Sequence, residues 1–189
     1  MTAAIQARNG YCMKPQLIKV NAEKLKGTWY YQRRATTMLS SNNSFACKSL
    51  DITMGNKQNS ILIHEKNEDP KTHNLRIINE DVEIDEEKGK GSVNISQFFP
   101  KGDIRFVHSD EDSMIIYSCK ETGLFRLLGQ LDTKSEGAYI LTRKRFPSTA
   151  TMDNVKRIFN EKLGHAYESM KMRKVRHDNC VTEDEAETD

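Results

Sequence analysis

The chain has 189 residues, of which 37% are hydrophobic and 30% are charged, and its formal net charge is +2. This length allows one hydrophobic core but is short for two. The near-neutral charge argues against a dedicated nucleic-acid-binding protein, which would carry a basic face. No stretch approaches the roughly 20 apolar residues that a membrane-spanning helix needs. We therefore expect one globular domain with no nucleic-acid partner and no membrane span.

Four cysteines, Cys12, Cys47, Cys119 and Cys180, are spread along almost the whole chain. None belongs to a C-x-x-C pair, so the usual spacings of zinc and redox sites are missing. An even number of widely separated cysteines favours two long-range disulfides in an oxidising compartment. Four free buried thiols in a cytosolic protein are the alternative, and four cysteines allow three pairings.

Two N-x-[S/T] sequons, at Asn42 and Asn94, favour the same compartment and predict glycosylation. The first residues lack the apolar core of a signal peptide, so a secreted form would start after its removal. We predict a secreted, extracellular protein.

Residues 1–22 show no periodicity and predict an extended leader, with a helical turn at 20–25 that closes one end of the strand region. The strands are marked by period-two alternation and by polar turns between them. They are predicted at 27–35, 44–54, 60–66, 74–85, 92–99, 103–108, 113–120 and 138–145. The segment 124–131 is interpreted as an extended hairpin arm, with a helix that has Phe125, Leu128 and Leu131 on one face as the alternative.

The period changes after Pro147. Thr149 or Thr151 is the expected N-cap of a helix at about 150–163, which Gly164 ends. One apolar stripe of this helix should pack outside the sheet; it contains Val155, Ile158, Phe159 and Leu163. A short strand is expected at 166–172. The remaining tail, 173–189, ends in an acidic stretch that we expect to be disordered.

About eight short strands followed by one helix show no β-α-β alternation, which argues against a parallel sheet. Closing an antiparallel sheet removes its exposed edges, and an eight-stranded barrel holds one small ligand. We predict an all-β fold, an eight-stranded antiparallel up-and-down barrel over residues 23–172 with the helix packed outside.

Three short motifs resemble the signatures of the lipocalins. Gly27-Thr28-Trp29 opens the first strand, Ser109-Asp110 lies in the turn before the seventh, and Arg143 ends the eighth. The tyrosine common in the second signature is absent, because Glu111 follows Asp110. Together with the strand order, the late helix and the cysteines, the resemblance covers roughly residues 12–180 and implies a calycin barrel.

Physical reasons support structural roles for these residues. An indole fills a large volume at the closed end, a guanidinium stacks on its face, and Gly27 permits close backbone approach. The cysteine pattern is similar to that of the arthropod bilin-binding and insecticyanin-like proteins and the apolipoprotein D group. That resemblance implies the pairs Cys12–Cys119 and Cys47–Cys180.

Strand parity predicts the residues that line the interior, although one bulge would reverse the faces of a strand. The predicted set is Tyr31, Arg33, Ala46, Lys48, Leu50, Ile61 or Leu62, Leu75, Ile77, Val93, Ile95, Phe99, Phe106 and Ile116. A buried charge without a partner is costly. Arg33 and Lys48 therefore either reach solvent at the rim or contact an anion, and our hypothesis is the carboxylate of a fatty acid or the propionates of a tetrapyrrole.

The resemblance implies a secreted carrier of a small hydrophobic ligand such as a bilin, fatty acid, retinoid, carotenoid or sterol. A bound bilin or other hydrophobic chromophore is the one cofactor considered. One alternative is an interaction lipocalin that binds a protease, a receptor or a second copy through open-end loops such as 35–41. Another is haem ligation by a single histidine such as His64 or His108, although no metal site is predicted. The chain lacks a G-x-S-x-G motif and a clear acid-base pair, so an enzyme is not expected.

Overall fold

The computed structural model describes residues 12–36, 46–93, 104–122, 133–164 and 166–180. The predicted hairpin arm at 124–131, most of the loop at 35–41 and the acidic end at 181–189 lie outside the described residues. The same is true of the sequon residues Asn42 and Asn94, of the predicted lining residues Ile95 and Phe99, and of the side chain of Val93.

Eight strands form one antiparallel sheet that closes on itself. They are β1 (Gly27–Thr36), β2 (Lys48–Met54), β3 (Ser60–Glu68), β4 (Leu75–Asp85), β5 (Lys90–Val93), β6 (Ile104–Ser109), β7 (Ser113–Thr122) and β8 (Thr133–Thr142). Neighbours in sequence pair from β2 to β8, and β1 pairs with both β8 and β2. The predicted eight-stranded barrel is therefore confirmed.

One end of the barrel is closed by a short helix, α1 (Ala22–Leu25). The side chain of Asn21 caps it by accepting a hydrogen bond from the backbone N–H of Lys24. Ala22 and Leu25 are buried in the same apolar cluster as the inner faces of the strands. We refer to this as the closed end and to the opposite end, where β1 finishes, as the open end.

The helix α2 (Thr149–Lys162) follows β8. Its N-cap is Ser148, whose side chain accepts a hydrogen bond from the backbone N–H of Thr151, so the expected caps Thr149 and Thr151 are wrong. The N-cap lies one residue before Thr149 because Ser148 has an extended backbone and the helix already begins at Thr149. Gly164, with a φ of +64°, follows the last turn as predicted.

The apolar stripe of α2 packs against the outer face of the barrel, as predicted. Val155, Phe159 and Leu163 are buried in one cluster with outward-facing Ile115 and Ile140 of β7 and β8. The barrel thus has two apolar clusters, one inside and one between the sheet and α2. None of the helices in the described ranges combines the length and the apolar character needed to cross a membrane.

The strand expected at 166–172 is wrong. Residues 166–169 form a helical turn, α3 (Ala166–Ser169), and a two-residue strand, β9 (Arg173–Lys174), comes later. The turn is favoured because Asn160 accepts a hydrogen bond from the backbone N–H of Tyr167, whose ring packs edge-on against Phe159. These contacts join α3 to α2 instead of to the sheet edge.

The C-terminal segment 173–180, expected to be part of a tail, lies along the barrel. Its strand β9 pairs with the second half of β1, where β1 is no longer paired with β2. Val175 is fully buried in the inner cluster and donates its backbone N–H to the carbonyl of Gln32. The segment therefore covers the gap between β1 and β2 toward the open end.

Two disulfides join distant parts of the chain in the pairing that the resemblance implied. Cys12–Cys119 fixes the leader to β7, and Cys47–Cys180 fixes the C-terminal segment to the start of β2. The described cysteines are all paired.

Strand β8 also differs from its predicted limits of 138 and 145, since it begins earlier, at Thr133. It ends at Thr142 instead of 145, because the Thr142 hydroxyl donates to the carbonyl of Lys144 and turns the chain away from the sheet. Gln32 stabilises this turn by donating its side-chain N–H groups to the carbonyls of Lys144 and Arg145.

Candidate functional site: the interior of the barrel

The closed half of the interior is filled by the side chains of the chain itself. Trp29, Leu50, Phe106 and Ile116 are each at most 1% exposed and belong to the inner cluster. Ile61 is also fully buried there, which resolves the choice between Ile61 and Leu62 in favour of Ile61. The closed half is therefore a packed core.

Gly27, Trp29 and Arg143, which were predicted to have structural roles, lie together at the closed end. The guanidinium carbon of Arg143 lies 3.7 Å from the ring centroid of Trp29, and its N–H groups donate to the carbonyls of Thr28 and Lys24. Gly27 has a φ of +98°, and a Cβ there would lie 3.0 Å from the Arg143 guanidinium. Close approach without a side chain is thus the reason for a glycine at this position.

The second lipocalin-like motif, Ser109-Asp110, lies in a turn that contacts Arg143. The carboxylate of Asp110 accepts hydrogen bonds from the backbone N–H groups of Asp112 and Ser113. Burial acts to raise the pKa of Asp110, but these N–H donors together hold that pKa below its ordinary value. In this turn the carbonyl of Asp112 accepts a hydrogen bond from the backbone N–H of Arg143, 2.9 Å away.

A bulge at Gln32 reverses the faces of β1 halfway along the strand. Tyr31 pairs with Leu141, but Arg33 pairs with Ile140, so the register shifts by one residue. The prediction that Arg33 faces the interior is therefore wrong: its Nε–H donates to the Tyr167 hydroxyl on the outer face, 2.9 Å away. Arg34 takes the inward position instead, because it pairs with inward-facing Tyr139.

Strand β4 has the opposite parity from the one predicted. Leu75 and Ile77 are 55% and 51% exposed on the outer face, so their predicted lining role is wrong. The inward residues of this strand continue from Val82 through Glu80 and Ile78 to Arg76. The alternation in the sequence is consistent with this arrangement, but the charged residues Arg76 and Glu80 made the inner face of β4 resemble a solvent-facing one.

Ala46 is buried beside the C-terminal segment, where it forms a parallel bridge with Arg176. It does not share the inner apolar cluster with Leu50. Cys47, with a φ of +50°, separates Ala46 from the regular alternation of β2.

A polar layer crosses the barrel above the packed core. Lys48, only 5% exposed, donates from its ammonium to the side-chain carbonyl of Asn67, and the Glu65 carboxylate lies 3.6 Å from Lys48 Nζ. The Tyr31 hydroxyl donates to the other oxygen of Glu65 at 3.2 Å. The predicted lining set omitted Glu65 and Asn67, although their parity with Ile61 and Ile63 along β3 was a signal that could have found them.

The charges in this layer alter each other's protonation. Burial, with the positive charges of Arg34 and Arg76, lowers the pKa of Lys48 to about 8, although Glu65 acts to raise it. Burial and the negative charge of Glu65 raise the pKa of Tyr31 well above its ordinary value. At neutral pH the Lys48 side chain is therefore mostly an ammonium, and the Tyr31 side chain is a neutral phenol.

Further cations lie at the same level around the barrel. Arg76 pairs with Asn67, which pairs with Lys48, so the three side chains form one row across β2, β3 and β4. On β1, the strand that closes the barrel against β2, Arg34 pairs with Arg173 of β9. Lys48 is buried, Arg34 is half-buried, and Arg76 and Arg173 are exposed toward the open end.

The histidines considered for haem do not face the interior. His64 Nδ1 lies 2.6 Å from Asn79 Oδ1, and His108 Nε2 lies 2.9 Å from Asp110 Oδ2, both on the outer side of the sheet. Within the described ranges, no three His, Cys, Asp or Glu side chains are grouped in a way that could hold a metal ion.

No protein-family model matches the sequence, and no curated protein matches it. Solved structures with similar folds do exist. Insecticyanin from the tobacco hornworm Manduca sexta is 14% identical over 89% of this chain and 91% of its own, with a TM-score of 0.66. The major allergen Per a 4 from cockroaches is 16% identical over 92% and 98%, with a TM-score of 0.63. The siderocalin Ex-FABP is 11% identical over 82% and 91%, with a TM-score of 0.56.

Proposed function

We propose that this chain, whose fold is that of the lipocalins, is a secreted carrier that binds one small hydrophobic ligand in the open half of its barrel. The observation that carries the proposal is the change in packing along the interior. The inward side chains of Leu50, Ile61 and Val82 are fully buried toward the closed end. Toward the open end, by contrast, Arg34, Asn67 and Ile78 are half-buried and Arg76 is exposed. The open half thus offers inward-facing surface that the described part of the chain leaves uncovered.

Two further observations support the proposal. The siderocalin Ex-FABP, a protein of similar fold, functions through dual ligand specificities, so ligand binding accompanies this fold in at least one neighbour. The two disulfides suit an oxidising, extracellular compartment. Binding of a ligand, rather than catalysis, is the activity that we propose for the interior.

The test is a titration with N-phenyl-1-naphthylamine, a neutral apolar dye whose fluorescence increases when it leaves water. The protein is first stripped of bound lipid on a hydrophobic resin. Ile77 and Ile78 are adjacent on β4 but face outward and inward, so the same substitution at each provides a matched pair. We expect Ile78→Trp to weaken dye binding about 10-fold or more, since an overfilled site loses its contacts, and Ile77→Trp to leave it unchanged.

The proposal fails if the unmodified protein does not bind the dye, or if both tryptophan variants bind it equally well. Urea denaturation of the two variants checks that they fold. Absorption spectroscopy and mass spectrometry of an extract from protein purified from its native source would then identify the natural ligand, including a bilin or another chromophore.

A further inference from the structure

The described interior of the barrel contains more cations than carboxylates. Four basic side chains, Arg34, Lys48, Arg76 and Arg173, lie on its inner face or open rim, and Glu65 and Glu80 are the described inward-facing acids. A small molecule entering from the open end therefore meets positive charge before it reaches the packed core. Field lines concentrate in a cleft with low-dielectric walls, so this excess acts strongly on a ligand charge.

Lys48 is the most deeply buried of these cations. Its ammonium has three donors, of which Asn67 accepts one, and the nearest Glu65 oxygen is 3.6 Å away, beyond ordinary hydrogen-bond length. A buried ammonium is costly unless it is paired and hydrogen-bonded. Burial and the positive charges of Arg34 and Arg76 lower the pKa of Lys48 to about 8, although Glu65 acts to raise it. An added anion beside Lys48 would compensate the buried charge further.

We propose that the ligand is an amphiphile with a single carboxylate head group, which binds between Lys48 and Arg34 while its hydrocarbon part occupies the open half of the barrel. This inference rests on the proposed function, because it names the class of ligand for the same interior. A carboxylate accepts charge-assisted hydrogen bonds from an ammonium and from a guanidinium at once. Glu65 is the competitor, since its own carboxylate already lies near Lys48.

The experiment compares three ligands with the same hydrocarbon chain, dodecanoate, methyl dodecanoate and dodecylamine, as displacers of the bound dye. Near neutral pH we expect dodecanoate to bind about 10-fold more tightly than its ester, as hydrogen bonds to charged groups predict. The amine should bind most weakly, because it is repelled by the same cations.

The bulge in β1 provides a matched control within the chain. Arg33 and Arg34 are neighbours on opposite faces, so Arg33→Met and Arg34→Met remove the same charge outside and inside the barrel. We expect Arg34→Met and Lys48→Met to remove the preference for dodecanoate over the ester, and Arg33→Met to keep it. Glu65→Gln should strengthen dodecanoate binding severalfold, because it removes the competing charge and keeps an acceptor for Tyr31.

The affinity for dodecanoate should also fall as the pH rises above about 8, because Lys48 then loses its proton. The groups facing Lys48 are Glu65 and Asn67 on β3, Arg34 and Tyr31 on β1, and Arg76 on β4. The bound carboxylate raises the pKa of Lys48, so the midpoint moves upward when the ligand is present. Binding of the ester should not depend on pH in this range.

The displacement results distinguish a failure of the carboxylate inference from a failure of the carrier proposal. If the dye binds but acid and ester displace it equally, the carboxylate inference is refuted and the carrier proposal stands. If the amine binds most tightly, recognition belongs to Glu65 and Glu80, and the inference is again refuted. If neither the dye nor any of the three ligands binds, both proposals fall together. If Lys48→Met does not fold, Arg34→Met and Glu65→Gln still decide the question.

Discussion

The contact between Trp29 and Arg143 at the closed end supports a quantitative prediction that does not depend on any ligand. The two side chains stack with 3.7 Å between the guanidinium carbon and the ring centroid. Arg143 also donates to the carbonyls of Thr28 and Lys24 at 3.3 and 2.9 Å. Trp29 is fully buried and donates its indole N–H to the carbonyl of Leu25.

These contacts determine the expected losses of stability. Arg143→Met removes the stacking, worth about 1 kcal/mol at a partly exposed site, and two hydrogen bonds worth about 1 kcal/mol each. We therefore expect the free energy of unfolding to fall by about 2 to 4 kcal/mol. Trp29→Leu leaves a cavity and an unpaired Leu25 carbonyl, so its loss should be about 3 to 5 kcal/mol.

The interaction itself is measured with a double-mutant cycle. The four free energies of unfolding are obtained from urea denaturation. Unfolding is followed by far-ultraviolet circular dichroism instead of tryptophan fluorescence, because Trp29 is the only tryptophan and is lost in two of the variants. We expect a coupling energy of about 1 kcal/mol between Trp29 and Arg143. Arg145 is the control, since it lies over Tyr30 instead, and its coupling to Trp29 should be zero within error. A zero coupling for Arg143 would refute the stacking argument.

Three further predictions concern stability elsewhere in the chain. Replacing Cys47 and Cys180 by serine opens a loop with a sequence separation of 133 residues, and urea denaturation should show a loss of about 4 to 5 kcal/mol; an unchanged midpoint would contradict the chain-entropy account. Burial lowers the pKa of His177, so the unfolded chain binds a proton that the folded chain resists. The free energy of unfolding should therefore fall as the pH drops below about 6.5, and His177→Gln should reduce that slope. Phe159→Ala under α2 should cost about 3 to 5 kcal/mol, whereas Phe146→Ala, at a 68% exposed side chain, should change stability by less than about 0.5 kcal/mol.

The barrel, its strand order and the outer helix were predictable because they depend on local signals that repeat. Period-two alternation in β2 and the 3.6-residue stripe of α2 both report one buried face. The roles of Gly27, Trp29 and Arg143 were predictable as well, since a glycine before a tryptophan in the first strand and an arginine after the eighth matched a known arrangement. The disulfide pairing depended on the resemblance alone.

The C-terminal segment was less predictable because long-range contacts determine its structure. Two strand residues are too few for a periodic signal, and the burial of Val175 depends on a gap that opens only where β1 leaves β2. Cys180 fixes the segment from the far end of the chain. Strand propensity in 166–172 could not reveal that Tyr167 would pack on α2 instead.

The interior residues were the least predictable, and the reason is the polar layer itself. Alternation identifies the inner face by its apolar residues, so a strand whose inner face contains Arg76 and Glu80 is assigned the wrong way round. The bulge at Gln32 has no sequence signal of comparable strength, yet it exchanges Arg33 for Arg34 inside the barrel. A chain optimised only for stability would place apolar residues at these positions, since buried charges are costly to fold around. Local rules that fail together in one region indicate a functional site, and here that region is the layer in which we place the carboxylate of the ligand.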